Sequence, residues 1–499
     1  VAFQVEVETP NRLADFALYA HLVGAVEALR QEAKPALPKL RGRTIWMVNS
    51  TARGGGVAEM LPTMVALLRD LGVATEWAVI ESPEPRFFEL TKRIHNLIHG
   101  HGEPKLGPVE RELFERVNRD NAAALKPRLR EGDVLVVHDP QPMPLAAILK
   151  RDLALTAVWR CHIGLDAEVP ATRAAWEFLR PYAQAYDRAV FSAPEYVPPF
   201  LADRATIIYP ALDPLSAKNR ELGLHNTVAV LSNAGLAVAP SPLWTPPYRH
   251  MALRLAPDGG FYPVTASGDF GLLTRPIVTQ ISRWDRLKGF EPLLAAFAGY
   301  RRRLLSGGWS ADPVHRVRQE LARLVLAGPS PESVQDDPEA GDVLEALKAQ
   351  YAALDPLIQE AVAILSLPMV SAEQNALMVN ALQRASSIVV QNSLREGFGL
   401  TVAEAMWKRV PILSNRQACG PRHQVRDGED GRLIADPEDV VALADTMDAM
   451  LHDATARRVW ARNAQRHVHA NFLVFAQLGS WLRLLDRALD GPGTSPAAA

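Results

Sequence analysis

The chain predicts an α/β protein of two doubly wound domains, and three observations carry that prediction. Short β-branched runs alternate with helix-period stretches over most of the 499 residues, the pattern of parallel sheets covered on both faces. The alternation runs in two series, separated by a stretch of different character. With 48% apolar and 22% charged residues, the chain can fill more than one core, and its length fits about three domains or two large ones.

In the first series, strands are expected at Thr44 to Val48, Val134 to Val137, Ala157 to Arg160, Ala189 to Phe191 and Thr206 to Ile208. After Gly54-Gly55-Gly56, the residues Val57, Met60, Leu61, Met64, Leu67, Leu68 and Leu71 form one helical stripe. The second series begins near Pro276, with strands expected at Ile277 to Ile281, Leu324 to Leu326, Val362 to Leu365, Ile388 to Val390 and Ile412 to Leu413. Val440, Leu443, Met447 and Leu451 mark a helix face near its end. Between the series, Leu222 to Thr274 holds Pro240, Pro242, Pro246, Pro247, Pro257 and Pro263, with Trp244, Tyr248, Phe261 and Tyr262. A connection of about fifty residues inside a compact domain is uncommon, and it reads as a linker or lid, or equally as an ordered surface excursion with no chemical role. Phe472, Leu473, Phe475, Leu478, Trp481, Leu482 and Leu485 make Asn471 to Leu489 an amphipathic helix, and the tail beyond Asp490 reads as a frayed terminus.

The charge balance, 54 Lys+Arg against 56 Asp+Glu for a net −2, lacks the basic footprint of a nucleic-acid binder. The apolar run Phe16 to Leu29 is broken by Tyr19, His21 and Glu27, so no membrane span is expected. Cys161 and Cys419 are the only cysteines, too few for a disulfide framework. No basic-then-apolar leader is visible, and the expected location is the cytoplasm. Asp-x-Asp is absent and the histidines show no zinc-type spacing, so neither a metal nor another cofactor is expected.

Two segments carry chemistry on their own residue types. Asn49-Ser-Thr-Ala-Arg-Gly-Gly-Gly-Val57 is a glycine-rich turn between a strand and an amphipathic helix. Successive glycines let a ligand approach the backbone, and free N–H groups at a helix start favour an anion. It is neither G-x-G-x-x-G nor G-x-x-x-x-G-K-[ST], so dehydrogenase and P-loop readings lose their main support, and a plain tight turn is the competing reading. Glu396-Gly-Phe-Gly-Leu-Thr-Val-Ala-Glu404 follows a buried strand and opens a helix running to about Lys408. Gly397 and Gly399 free backbone N–H groups for a ligand, while two carboxylates in one short segment can grip hydroxyls at two ends of a polyol. Either glutamate alone would read as a solvated charge.

That spacing of two glutamates around G-F-G-L resembles the signature of the family-four retaining glycosyltransferases of GT-B fold. Gln280-Ile-Ser-Arg283-Trp-Asp-Arg-Leu-Lys288-Gly289 stands at a strand end where that family places an Arg and a Lys on the donor diphosphate. A guanidinium fork and an ammonium point charge suit two phosphates, although either cation alone would read as a surface charge. More of the chain resembles one subgroup, the trehalose synthases that join nucleotide-activated glucose to free glucose. The matching stretches are Val48-Asn-Ser-Thr, Gly-Gly-Gly-Val-Ala-Glu59, Lys92-Arg-Ile-His-Asn96, His138-Asp-Pro-Gln-Pro142, Trp159-Arg-Cys-His162, Tyr209-Pro-Ala-Leu-Asp-Pro-Leu-Ser216 and Asn380-Ala-Leu-Gln-Arg-Ala385.

The resemblance implies two Rossmann-like domains facing a central cleft: 1–218 for the acceptor, joined by the helix at 471–490, and 275–470 for the nucleotide-sugar donor. The linker or lid falls at 219–274 and a disordered tail at 491–499. It implies catalysis by Glu396, Arg283 and Lys288, and donor contacts from Glu404, Gly397, Phe398, Gly399, Leu400, His162, Gly55 and Gly56. Asp139, Asn49 and Gly54 would meet the acceptor. The implied partners are small molecules (nucleotide-glucose, glucose or trehalose), with a homodimer held open and neither nucleic acid nor membrane. Domain closure would assemble the reacting pair. The chain departs from the family at Ala418-Cys419-Gly420-Pro421-Arg422-His423-Gln424, where a Gly-Gly pair is usual before the Gln, at His162-Ile-Gly164, where the subgroup has His-Ile-Asp, and at Tyr300 to His315, which looks inserted. Two rival readings are a retaining trehalose phosphorylase, with phosphate replacing the nucleotide, and a non-catalytic sugar or nucleotide sensor on the same scaffold.

Overall fold

The computed structural model describes residues 3–7, 11–52, 56–238, 247–330 and 339–490. Two units divide the chain: Val1–Ala211 with Asn471–Ala499, and Leu212–Ala470.

The first unit is a seven-stranded sheet in the order β1-β3-β2-β4-β5-β6-β7. Its strands are β1 (Phe3–Gln4), β2 (Ile45–Asn49), β3 (Thr75–Val79), β4 (Val134–His138), β5 (Thr156–Arg160), β6 (Arg188–Phe191) and β7 (Ala205–Ile207). All neighbours are parallel except the short β1, which runs antiparallel to β3. β2 and β4 are buried along their whole length, which is why they read as continuous apolar runs rather than alternating ones. Helices at Pro85–Ile98, Pro108–Leu125, Pro144–Leu149 and Pro170–Ala183 each start on a proline, a position where the missing N–H costs nothing. Because β2, β4 and β5 are parallel neighbours, Asn49, His138 and the residue pair after Arg160 arrive at one edge of the sheet.

The C-terminal helix Val474–Ala488 is part of this unit. Phe475 meets Phe16 edge-on at 5.2 Å and Phe472 meets Tyr209 at 5.5 Å. Gln477 donates to the Tyr209 carbonyl at 3.0 Å, and Lys39 donates to the Asp486 carbonyl at 3.0 Å.

The second unit holds an eight-stranded sheet ordered β15-β14-β13-β10-β11-β12-β8-β9. Its strands are β8 (Leu253–Leu255), β9 (Phe261–Pro263), β10 (Ile277–Ile281), β11 (Arg323–Pro329), β12 (Val362–Leu367), β13 (Ile388–Val390), β14 (Ile412–Asn415) and β15 (Gly431–Ile434). Six of them are parallel, while β8 and β9 add antiparallel at one edge. Apolar side chains of β10, β11 and β12 alternate between two cores: Val278, Leu324, Leu326 and Ile364 enter one, and Ile277, Val325, Ala327 and Leu365 the other.

Part of the segment 219–274, expected as a linker or lid or as an ordered excursion, is ordered in the structure. The boundary falls at Ala211/Leu212, and the segment builds a helix, Leu224–Asn233, and the β8/β9 hairpin that extends the sheet. The reason lies in Arg254, which donates to the Val362 carbonyl at 2.8 Å and covers the Phe270 ring at 4.5 Å. Trp244 and the tail 491–499 lie outside the described residues. Tyr300 and His315, read as bounding an insertion, are both buried, on helices Phe290–Leu305 and Pro313–Leu321. Among the described residues, no helix is long and apolar enough to cross a membrane.

Trp481 is 2% exposed, so Trp481→Ala should cost the first unit about 3–5 kcal/mol. Urea titration followed by a probe within residues 1–211 checks this; an unshifted midpoint would mean that the C-terminal helix does not support that unit.

Candidate active site

In the second unit the site is assembled at the carboxyl ends of β10 and β13. The buried Gln280, near the end of β10, spans the two: its amide donates to the Lys288 carbonyl at 2.7 Å and its oxygen accepts from the Asn392 N–H at 3.0 Å. The chain leaves β10 through a short 3-10 turn, Arg286–Lys288, and enters helix Phe290–Leu305 at Gly289, whose φ is +62°. A Cβ there would sit 2.1 Å from the Asn392 carbonyl oxygen, so glycine is required both for backbone sign and for space.

This places Lys288 Nζ 2.6 Å from Glu396 Oε2, with side chains only 15% and 13% exposed. The same oxygen accepts from Ser393 Oγ at 3.0 Å and Gln391 Nε2 at 3.3 Å. Gly399, with φ +78°, then opens helix Leu400–Trp407, and Phe398 is buried. Glu404 is on that helix and also buried; Lys218 approaches its Oε1 at 3.8 Å. Lys408 is buried below it, donating to Asn219 Oδ1 and the Glu404 carbonyl, each at 3.1 Å. Burial pulls its ammonium down to about 7, against the opposing charge of Glu404. Arg283 is exposed.

In the first unit, Asp139 follows β4 with φ +63°. Its N–H donates to the Arg160 carbonyl at 2.7 Å, its carbonyl accepts from the Trp159 indole at 3.0 Å, and its Oδ1 accepts from the His162 N–H at 2.9 Å. These three bonds hold a backbone conformation that few non-glycine residues adopt. Burial raises this carboxyl to about 6, although the His162 N–H and Arg160 pull the other way. Arg160 is buried, with Nη1 donating to the Phe191 and Ile208 carbonyls at 3.1 and 2.6 Å. His138 Nδ1 lies 3.0 Å from His162 Nε2. Asn49 is buried with its amide engaged at both ends, to the Thr51 carbonyl at 2.7 Å and from the Trp77 indole at 2.8 Å. Gly56 begins helix Gly56–Asp70, while Gly54 and Gly55 lie outside the described residues.

The structure thus joins Lys288 to Glu396 and Asp139 to His162. Gln280, Gln391, Ser393, Arg160 and His138 were not singled out from the sequence. Their signal was a polar residue at the carboxyl end of an apolar strand, as in Val389-Val390-Gln391-Asn392-Ser393. In the departing loop, Gly420 donates its N–H to the Glu396 carbonyl at 3.1 Å, and Gln424 Nε2 donates to the Phe398 carbonyl.

Comparison with known proteins gives the family and the fold. Residues 47–198 match the family described as Trehalose synthase, N-terminal domain, and residues 269–467 match Glycosyl transferases group 1. The chain is 32% identical to the trehalose synthase of Pyrococcus horikoshii over 94% of its length and 95% of the relative's. It is 33% identical to that of Rubrobacter xylanophilus, covering 90% and 92%. The trehalose phosphorylase of Grifola frondosa is more distant, at 24% identity over 88% of this chain and 56% of that protein. Among solved structures, the α,α-trehalose 6-phosphate synthase of Burkholderia multivorans superposes with a TM-score of 0.61 at 18% identity, covering 89% of this chain and 96% of that one, which establishes the GT-B fold.

The Asp139 carboxyl makes stability depend on pH with a definite sign. Its proton is held more tightly in the folded chain than at the ordinary value of 3.8, so its contribution favours folding in acid and is lost as pH rises through about 6. Asn tolerates the same backbone and can accept the same N–H. Asp139→Asn should therefore stabilise the protein at pH 8 by on the order of 3 kcal/mol, with most of the gain lost near pH 4. Thermal unfolding at the two pH values checks this, and an equal gain at both would refute it.

Proposed function

The chain belongs to the trehalose synthase family of glycosyltransferases, and on that premise we propose that it forms trehalose from a nucleotide-diphosphate glucose and free glucose, reversibly and with retention of configuration. The observation that carries this reading is the Lys288–Glu396 pair, 2.6 Å apart at the head of the glycine turn. A cation already fixed at that turn can take a diphosphate, and the carboxylate beside it retains lone pairs for sugar hydroxyls.

The step breaks the bond between the anomeric carbon and the diphosphate oxygen and forms one to the acceptor hydroxyl on the same face. The acceptor proton passes to the departing diphosphate oxygen. Lys288 and Arg283 stabilise the charge that develops on that oxygen, Glu396 positions the glucosyl hydroxyls, and Glu404 holds the nucleotide ribose. N–H groups from Gly397 to Leu400 complete the donor site. His162 meets the donor sugar and Asp139 the acceptor, and Asn49 at the end of β2 is held by Thr51 and Trp77. This scheme needs no covalent nucleophile, unlike a pair of carboxylates flanking the anomeric carbon, and no metal or other cofactor. Cytoplasm is the proposed compartment, where the buried thiols of Cys161 and Cys419 stay reduced.

Two experiments test the reading. Lys288→Ala and Glu396→Gln should each lower turnover by roughly 10² to 10³, the loss usual for one preorganised electrostatic contact; near wild-type rates in folded protein would remove both from the mechanism. Trehalose incubated with a nucleoside diphosphate should release glucose, and prior treatment with EDTA should leave most of that rate. Release with inorganic phosphate alone would make the enzyme a phosphorylase, and loss restored by magnesium would overturn the charge assignment.

A further inference from the structure

His138 has no role in the scheme above, yet its surroundings are restrictive. It ends β4 fully buried, with its ring nearly parallel to that of His162, 12° apart. Its Nδ1 and the His162 Nε2 are 3.0 Å apart, so one proton lies between them. Its other nitrogen, Nε2, is buried with no hydrogen-bond partner among the described residues. Burial, reinforced by the nearby Arg160 guanidinium, holds His138 near 3 and His162 well below the ordinary imidazole range, so both rings are neutral at physiological pH.

A neutral imidazole carries one N–H. On His138 Nε2 that group would be a buried donor with nothing to receive it, which costs its full desolvation. On Nδ1 it is donated to His162. The His162 Nε2 then serves as acceptor, and the single proton of His162 is left on Nδ1.

We propose that His138 is a positioning residue that locks His162 in its Nδ1-protonated tautomer, so that His162 can only donate a hydrogen bond to an oxygen of the glucosyl group. This rests on the reading in which His162 meets the donor sugar. The consequence is a preference in ligand chemistry: an oxygen able to accept at that point is required, and a group that can only donate is rejected, because two N–H donors would then face each other. Asp139 supports the same geometry from the backbone side by accepting the His162 N–H.

The full chain labelled with ¹⁵N-histidine gives the readout, with His162→Gln used to assign the signals. Wild type should show a one-bond N–H coupling at His162 Nδ1 and a bare Nε2. His138→Asn, whose amide can supply an N–H near the Nδ1 position, should keep that state and most of the wild-type kcat/KM. His138→Leu should shift the His162 proton toward Nε2 and lower kcat/KM about tenfold, the scale of one lost neutral hydrogen bond. A wild-type His162 protonated at Nε2, or a His138→Leu protein with unchanged tautomer and unchanged kcat/KM, overturns the proposal. Should His138→Leu fail to fold, the wild-type and His138→Asn spectra decide it. Undiminished kcat/KM in His162→Gln would instead overturn the sugar contact, while the wild-type spectrum still judges the tautomer.

Discussion

An ammonium and a carboxylate held largely out of water lose more hydration than their attraction returns unless further hydrogen bonds complete the arrangement. Lys288 and Glu396 face that constraint, and the surrounding strand ends answer it. Glu396 Oε2 receives Ser393 and Gln391 in addition to Lys288. Gln391 is itself tied to Ser282 at 3.3 Å and to Ser393 at 2.8 Å, while Gln280 holds the backbone on which Lys288 sits. The carboxyl ends of β10 and β13 therefore form one polar network, and the glycines at 289 and 399 supply the turns without which the two charges would not meet. Any single deletion in such a network leaves a buried partner unpaired, so its energetic weight exceeds that of the bond removed.

The first unit handles buried charge differently. Asp139 and Arg160 attract each other, yet desolvation dominates both, raising the acid to about 6 and lowering the base to about 10. The guanidinium is spent on main-chain carbonyls at the end of β6 and just after β7 rather than on the carboxylate, which fixes the sheet edge and leaves Asp139 only partly compensated. A carboxyl held in this way is costly to the fold. Strain and poor solvation at this one residue persist because three neighbours over-determine its backbone.

How much of this was legible in the sequence follows from what a local pattern can encode. Strands buried on both faces announce themselves as apolar runs, and β10 was read with its observed limits, Ile277–Ile281. β3 was not foreseen because Thr75–Val79 carries Glu76, whose charge meets Arg69 at 2.9 Å outside the core. The β8/β9 hairpin escaped for another reason: its pairing partner, β12, lies about a hundred residues further on (Leu365 with Arg254), and edge strands of three residues leave almost no periodicity. Glu396, Lys288 and Gly399 were legible through spacing. Gln280, Gln391 and Arg160 were not, since their importance arises from which strand ends the topology brings side by side.

The loop at Cys419-Gly420-Pro421, where the chain departs from the family pattern, is packed tightly against the turn that carries Glu396. A Cβ at position 420 would stand 2.1 Å from the Phe398 carbonyl oxygen, so only glycine lets this loop press against the backbone of the Glu396–Gly399 turn. That glycine is present, its N–H bonds to the Glu396 carbonyl, and Gln424 bonds to the Phe398 carbonyl from the same short helix, Cys419–Gln424. Cys419 is buried and forms no disulfide, and a small side chain at that point changes the lining of the loop while leaving its grip on the turn in place. Pro421 stands near the start of the helix, where its ring is compatible with helical φ. The departures thus leave in place the two contacts that hold the Glu396–Gly399 turn, one to the Glu396 carbonyl and one to the Phe398 carbonyl.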